Sequence, residues 1–508
     1  MNAREPRTEP QGAPRARMML QRARWAATAF AGYDREQTRK IVDAVAEAAY
    51  QNAERFAAQA VEETGMGVPA HKRRKNEACS RGLVERYGHE DFVGLRIDRE
   101  RKIVEVPKPV GVVLALTPST NAIASVYFKV IAGLMTRNAV VVSPHPWARR
   151  VCAEATHLLS DAAVAAGAPD GCVQVVEEPT IPLIEALMSD DGVDLIVATG
   201  GTAVVRAAYS SGTPALGVGP GNVPALVDAT ADVPAAARCL AESKSFDNSI
   251  LCTNESVAIV EASVADALEH ELRRNGAHVL DGEEAQKIRE ALYPDGHINT
   301  KLAGKDAAAL AEAAAIAVPD GTRVLVAPFE LVVPDEPLAT EKLFPLLGLV
   351  RVADAARGID AARAVIRIGG GGHSAVIHSK DAATILAYGA AVRVLRVTVN
   401  APGSTGSAGL DTHLAPTMTV GTGFFGRSSL AENLEPRHLA QWTRVAYASD
   451  PSVPFDDFSG MQPWTVRPEP VAVVAPASAP ASGPGDGELS REELRRLIVE
   501  ELRQLVGV

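Results

Sequence analysis

Val112-Val113-Leu114 opens a stretch in which short apolar runs alternate with longer helical ones: residues 122–134 (AIASVYFKVIAGL), Ala139-Val140-Val141-Val142, residues 152–166, Val173-Gln174-Val175-Val176 and Val193-Asp194-Leu195-Ile196-Val197. Such short β-branched runs suit strands buried on both faces, and the segments between them are long enough to be crossover helices. The pattern predicts a parallel, doubly wound α/β sheet. A second alternation starts near Val223 and runs to Asn400, with strands such as residues 257–260 and 394–399 between Ala-rich helical segments. It predicts a second doubly wound unit, which carries Cys252. Ahead of both, residues 35–63 repeat apolar positions at helical spacing. Ile97, Ile103, Val104 and Val106 then alternate around Asp98-Arg99-Glu100, which predicts a hairpin over residues 95–107.

At 508 residues, 47% of them hydrophobic, the chain exceeds the size at which one core stops growing, so two or three packed units are expected. A formal charge of -11 excludes a global attraction to nucleic acid or to an anionic membrane. No run approaches the ~20 apolar residues needed to span a bilayer. The five cysteines, Cys79, Cys152, Cys172, Cys239 and Cys252, are scattered with no C-x-x-C pair, which points to a reduced, cytosolic setting. Residues 1–17 are Arg- and Pro-rich without an apolar core and read as a disordered arm rather than a targeting peptide.

After Tyr447 the composition changes. Residues 449–487 read as a linker, most biased from Arg467 to Gly487, where Pro, Ala, Ser and Gly dominate. Residues 488–508 then read as an amphipathic helix, with Ser490 and Glu493 as a capping box and Leu494, Ile498, Leu502, Leu505 and Val506 as an apolar stripe. A single short helix on a tether is marginal alone, so this face docks on a partner or folds back on the chain's own oligomer.

Several segments could carry chemistry. Cys252 sits between the helical stretch 235–244 and the strand at Val257, an element junction, although most cysteines are small buried apolar residues. Leu116-Thr117-Pro118-Ser119-Thr120-Asn121 closes a strand and opens a helix, where backbone amides bind anions; Asn121 is there either an amide donor or an ordinary cap. Ala198-Thr199-Gly200-Gly201-Thr202 and Gly217-Val218-Gly219-Pro220-Gly221-Asn222 allow close backbone approach, but neither is a G-x-G-x-x-G or Walker loop, and each is equally a tight turn. His373, after a glycine run, reads as a hydrogen-bonded structural histidine before a ligand contact. His71-Lys72-Arg73-Arg74-Lys75 reads as a solvated helix face in an acidic chain. No metal-ligand spacing is present, so no metal is expected.

Together these segments resemble the aldehyde dehydrogenase superfamily, and within it the branch that acylates coenzyme A, found in bifunctional aldehyde-alcohol dehydrogenases and in bacterial microcompartments. The resemblance spans residues 36–447. It rests on residues 116–121, Thr136-Arg137-Asn138-Ala139, Ser143-Pro144-His145-Pro146, residues 217–222, Ser243-Lys244-Ser245-Phe246-Asp247-Asn248 through Cys252, Glu341-Lys342-Leu343 and Gly372-His373-Ser374.

The resemblance implies a dinucleotide-binding domain over residues 18–222, with the hairpin serving oligomerisation, a catalytic domain over 223–411, and a return to the first domain over 412–448. It also implies that Cys252 attacks an aldehyde carbonyl, while the Asn121 amide and the Cys252 backbone N–H stabilise the oxyanion. Hydride would pass to a nicotinamide and the acyl group from Cys252 to coenzyme A, reversibly. For the dinucleotide it implies Thr117, Pro118 and Ser119 near the nicotinamide half, Pro144 and His145 near the adenosine, and Thr199, Gly200, Gly201 and Gly219 along the phosphates. Glu341 would hold the nicotinamide ribose. NAD is favoured, although Arg149 and Arg150 keep a 2′-phosphate partner for NADP open. Hydrolytic relatives carry a Glu-Leu-Gly-Gly segment whose glutamate activates water, whereas residues 217–222 here hold no carboxylate. The tail is similar to an encapsulation peptide that docks cargo on a microcompartment shell. A homodimer or homotetramer is implied, with the hairpin and the strand before Tyr447 pairing across subunits. The competing readings are a hydrolytic aldehyde dehydrogenase, an acyl-phosphate reductase and an inactive cargo or scaffold protein.

Overall fold

In the computed structural model, which describes residues 12–464, the hairpin is formed by β1 (Arg96–Asp98) and β2 (Ile103–Pro109), with Ile97 opposite Val104. The first doubly wound unit follows as β3 (Val112–Thr117), β4 (Ala139–Pro144), β5 (Val173–Val175), β6 (Leu195–Thr199) and β7 (Ala215–Val218), a parallel sheet in the order β5-β4-β3-β6-β7. Alternation along β3 divides its side chains between two cores. Val113 and Ala115 pack with the helices Arg35–Gln51, Ala122–Met135 and Arg149–Ala165, whereas Val112, Leu114 and Leu116 pack with Ala13–Phe30 and Ile181–Met188. That two-sided burial explains why β3 and β4 read as continuous apolar runs.

The second sheet holds β8 (Val223–Val227), β9 (Glu255–Glu261), β10 (Ala277–Val279), β11 (Val324–Pro328), β12 (Leu346–Val352), β13 (Ala375–His378) and β14 (Val397–Val399), ordered β10-β11-β12-β9-β8-β13-β14 and parallel throughout. It too is covered on both faces by separate cores. The chain then returns to the first core through Met418, Leu430, Leu434 and Leu439. It ends its regular structure in β15 (Ala440–Ala446). Among the described residues no helix is long and apolar enough to cross a membrane.

Two expectations change. Residues 13–17 belong to the helix Ala13–Phe30 and not to a disordered arm: Pro14 starts the helix, and Ala16 and Leu20 are buried against the first sheet. Residues 449–464, assigned to the linker, pack on the hairpin instead. Phe455 and Phe458 pack edge-to-face against Tyr447, Arg99 pairs with Asp457, Lys102 donates to the carbonyls of Asp450 and Val453, and Arg137 lies 3.8 Å from the Trp464 ring. The composition of this stretch hides the three aromatic anchors. Within the chain β15 runs antiparallel to β2, from Ala440 opposite Pro109 to Ala446 opposite Ile103, and forms the edge of that sheet. Residues 1–11, the rest of the linker and the amphipathic helix lie outside the described residues.

Asn138 is among the side chains that tie the return segment to the first sheet, with Ser428 and Ser429, which donate to the carbonyls of Gly217 and Ala215. Buried Asn138 accepts from the Gly111 N–H at 2.9 Å and donates to the Leu439 carbonyl at 2.8 Å. Asn138→Ala orphans both groups and should destabilise the fold by about 2–4 kcal/mol. A thermal unfolding midpoint equal to that of the unmodified chain would show that these bonds carry no such weight.

Candidate active site

The C-terminal ends of β3, β4 and β6 open on one cleft of about 640 Å³. It lies where the strand order turns from β4 on one side of β3 to β6 on the other, the switch point at which doubly wound sheets bind ligands. Thr117, Pro118, Ser119 and Asn121 enter it after β3, Pro144 and His145 at the end of β4, Thr199, Gly200 and Gly201 at the end of β6, and Gly219 after β7. The second unit adds Cys252 and Glu341. Cys252, Asn121 and the residues expected to hold the dinucleotide thus line one cavity, whereas His373, Arg149, Arg150 and the run His71 to Lys75 do not.

Cys252 is held on a loop of unusual backbone. Asp247, Asn248 and Ser249 all take left-handed conformations, with φ of 51°, 50° and 66°. Non-glycine residues adopt this region only where their surroundings enforce it. Each of the three has its own tether: Asn248 Nδ2 donates to the Gly304 carbonyl at 2.9 Å, Ser249 Oγ to Asn254 Oδ1 at 2.7 Å, and Asp247 is enclosed by cations. Asn254 Oδ1 also takes a bond from the buried Lys244 Nζ. Cys252 itself is partly exposed. Burial pushes its thiol up to about 12, Glu341 adds to the rise, and its own N–H, Arg396 and Lys75 oppose it.

The cations come from the basic run, where the structure corrects the reading of a solvated face. Of the run His71 to Lys75 on the helix Pro69–Ala78, Arg73 and Arg74 are exposed, pairing with Glu77 and Asp411. Lys72 and Lys75 are buried and converge on the Asp247 carboxylate at 3.1 and 2.5 Å, while His71 Nδ1 accepts from the Asp247 N–H. Lys75 Nζ also donates to Asn121 Oδ1 at 2.5 Å. Asn121 occupies the cap position of the helix Ala122–Met135 but makes no side-chain cap bond. The i, i+3 spacing puts Lys72 and Lys75 on one helix face, but His71 and the exposed Arg74 share that spacing, so the sequence does not say which face is buried.

Behind the cysteine the two units meet at Gly221. A Cβ there would lie 2.1 Å from the Cys252 carbonyl oxygen and 3.2 Å from His373 Cε1. The Gly221 N–H donates to Glu341 Oε1 at 2.9 Å. Burial pushes the Glu341 carboxyl up to about 7, against the pull of that N–H and of Lys244 and Lys342. His373 is fully buried, with Nδ1 against Ser374 Oγ at 2.9 Å and Nε2 unpartnered. Burial, then Arg396, holds its pKa down to about 3. Among the described residues no three His, Cys, Asp or Glu side chains converge in a way that could hold a metal ion.

The profile of the aldehyde dehydrogenase family matches residues 8–429. The chain belongs to the aldehyde dehydrogenase family. Similar proteins include the acetylating succinate-semialdehyde dehydrogenase of Clostridium kluyveri, 36% identical across 84% of this chain and 95% of that protein. The bifunctional aldehyde-alcohol dehydrogenase AdhE of Escherichia coli K12 is 34% identical across 84% of this chain, which spans 49% of AdhE. Among solved structures, an acetylating aldehyde dehydrogenase from Geobacillus thermoglucosidasius superposes with a TM-score of 0.85 at 35% identity, covering 87% of this chain and 98% of that one. A propionaldehyde dehydrogenase from a Clostridium phytofermentans fucose-utilisation microcompartment gives 0.78 at 28% identity, covering 85% and 97%. One from Rhodopseudomonas palustris, with bound CoA and an acylated cysteine, gives 0.77 at 28%, also covering 85% and 97%.

The cleft of this aldehyde dehydrogenase fits a dinucleotide. Gly201 heads the helix Thr202–Ser210 with no side-chain cap, leaving first-turn amides for phosphate oxygens, and a Cβ at Gly201 or Gly219 would meet only open space. Ile181, Ile184, Met188 and Val204 form an apolar wall suited to an aromatic ring. Among the described residues no Lys or Arg lines the cleft. Arg149 is paired with Glu178 at 2.6 Å, and Arg150 lies 3.6 Å from Glu63.

Gly221→Ala should leave a folded aldehyde dehydrogenase whose kcat is lowered about 100-fold or more, because the Cys252 carbonyl must move aside. Unaltered kcat in a variant with unaltered circular dichroism would show that this contact does not set the cysteine's position.

Proposed function

We propose that the chain is a CoA-acylating aldehyde dehydrogenase, oxidising a small aldehyde to its acyl-CoA through a Cys252 thioester, and running in reverse where acyl-CoA is supplied. The observation that carries this reading is the shared cleft, in which Cys252, Asn121 and Glu341 meet while residues 217–222 bring no carboxylate. The Cys252 sulfur bonds to the aldehyde carbon, and the Asn121 amide and the Cys252 N–H receive the oxyanion, each donor contributing about 3–4 kcal/mol. The dinucleotide, when bound, supplies the acceptor for the hydride that leaves this carbon. Cys252 then holds the acyl group as a thioester, and the thiol of coenzyme A displaces it.

The departing Cys252 sulfur, whose pKa burial raises, takes up the proton of that thiol; His373 is buried behind Gly221 and does not line the cleft. Glu341 and Glu185 are the carboxylates of the cleft; the Gly221 N–H engages Glu341, which disfavours its use as a base for water. Glu341 binds the nicotinamide ribose, and Thr117, Pro118, Ser119, Pro144, His145, Thr199, Gly200, Gly201 and Gly219 line the dinucleotide. NAD is preferred to NADP, since Arg149 and Arg150 face acidic partners and no Lys or Arg among the described residues lines the cleft. The names of the relatives support the acyl transfer, and the acylated, CoA-bound Rhodopseudomonas palustris structure supports the thioester.

The same reading extends to location. The enzyme works in the cytoplasm inside a bacterial microcompartment, tethered through residues 488–508, an idea supported by the microcompartment propionaldehyde dehydrogenase among its structural neighbours. It is a homodimer or homotetramer, a state that the edge position of β15 favours.

Supplied with short aldehydes, NAD and coenzyme A, the chain should accumulate acyl-CoA, and Cys252→Ala should abolish this while leaving dinucleotide binding nearly unchanged. Free acid formed independently of coenzyme A would establish the hydrolytic alternative. Deletion of the residues after Arg467 should spare turnover and abolish co-localisation with a shell; unchanged localisation would remove the cargo role.

A further inference from the structure

We infer that Lys75 is a positioning residue for the oxyanion site: by donating to both Asn121 Oδ1 and Asp247 Oδ2, its Nζ fixes which end of the Asn121 carboxamide is offered to the substrate. The inference rests on the reading of Cys252 and Asn121 given above. A carboxamide has nearly the same shape in either of two orientations, but they have opposite chemistry. One offers an N–H donor to a developing oxyanion, and the other offers an oxygen that repels it. Nothing else at Asn121 selects between them. It makes no cap bond, and its Nδ2 reaches only Thr120 Oγ1 at 3.5 Å. An ammonium is a donor without acceptor capacity, so a Lys75 Nζ at 2.5 Å admits only the oxygen on its side and leaves the NH₂ free.

The same nitrogen bonds Asp247 at 2.5 Å, so one cation registers the amide donor after β3 against the turn that carries the nucleophile, 172 residues from Lys75 in sequence. Its charge also favours the Cys252 thiolate. Lys72 provides the internal control. It holds the same Asp247 oxygen at 3.1 Å, but its second bond goes to the Thr120 carbonyl and not to the carboxamide. Because Lys72 and the Val68 N–H remain on Asp247, removal of Lys75 does not leave that carboxylate unpartnered.

The test is a double-mutant cycle on the full chain, comparing Lys75→Met, Lys72→Met, Asn121→Ala and the Asn121→Ala/Lys75→Met pair, with circular dichroism and NAD binding measured for each. Lys75→Met should lower kcat/KM for the aldehyde about 100-fold at unchanged NAD affinity, as loss of one oxyanion donor does. In the Asn121→Ala background it should cost less than about threefold further, since the two residues act as a unit. Lys72→Met should cost clearly less than Lys75→Met. Full additivity in the cycle, or equal losses from the two lysines, would overturn the inference and reduce Lys75 to a support for the Asp247 turn. Lys75→Arg keeps a donor-only cation and should retain more turnover than Lys75→Met. If the methionine variant fails to fold, Lys75→Gln, which has both donor and acceptor and so no longer selects the amide's orientation, replaces it in the cycle. Turnover by Cys252→Ala would instead bring down the underlying reading, whatever the lysines show.

Discussion

A carboxylate with no exposed surface, Asp247, is clamped between the two buried ammonium groups of Lys72 and Lys75, and the geometry of the catalytic loop depends on it. Burying one such charge alone costs several kcal/mol; two cations and the Val68 N–H offset that cost. The compensated cluster then stabilises something that is otherwise unfavourable, three consecutive left-handed residues leading to Cys252. Cutting the clamp would let residues 247–249 relax towards ordinary backbone, and Cys252 would turn away from the cleft.

Around this point the two sheets divide the work. The first, through the loops after β3, β4 and β6, builds an open cavity with uncapped amides and an apolar wall. The second contributes the cysteine and Glu341, and Gly221 lets its neighbours approach within distances that any side chain would forbid. The acidic overall charge of the chain is compatible with anionic ligands because recognition is local, by backbone amides and not by a basic surface.

The doubly wound sheets were legible because their strands are buried on both faces, so apolar runs such as residues 112–114 and 139–142 stand out without alternation. Cys252 and Asn121 were legible as members of long motifs. What stayed hidden depended on partners far away in the chain. Lys72 and Lys75 look like surface charges until Asp247 is brought to them, and no local feature distinguishes a solvated lysine from one whose counter-ion lies 172 residues on. The helix Ala13–Phe30 was hidden in part by an Arg-rich start whose buried Ala16 and Leu20 are outnumbered by charges. Residues 449–464 were hidden because three aromatic rings and two ion contacts outweigh a composition that looks unfolded.

All of this converges on one covalent state of one sulfur. Mixing the chain with a short aldehyde and NAD without coenzyme A, quenching in acid and measuring the mass of the Cys252 peptide tests it most directly. The account predicts an acyl adduct on Cys252 that persists in water and disappears when coenzyme A is added. A peptide that never gains the acyl mass during turnover, or an adduct that water discharges as fast as coenzyme A does, would contradict it.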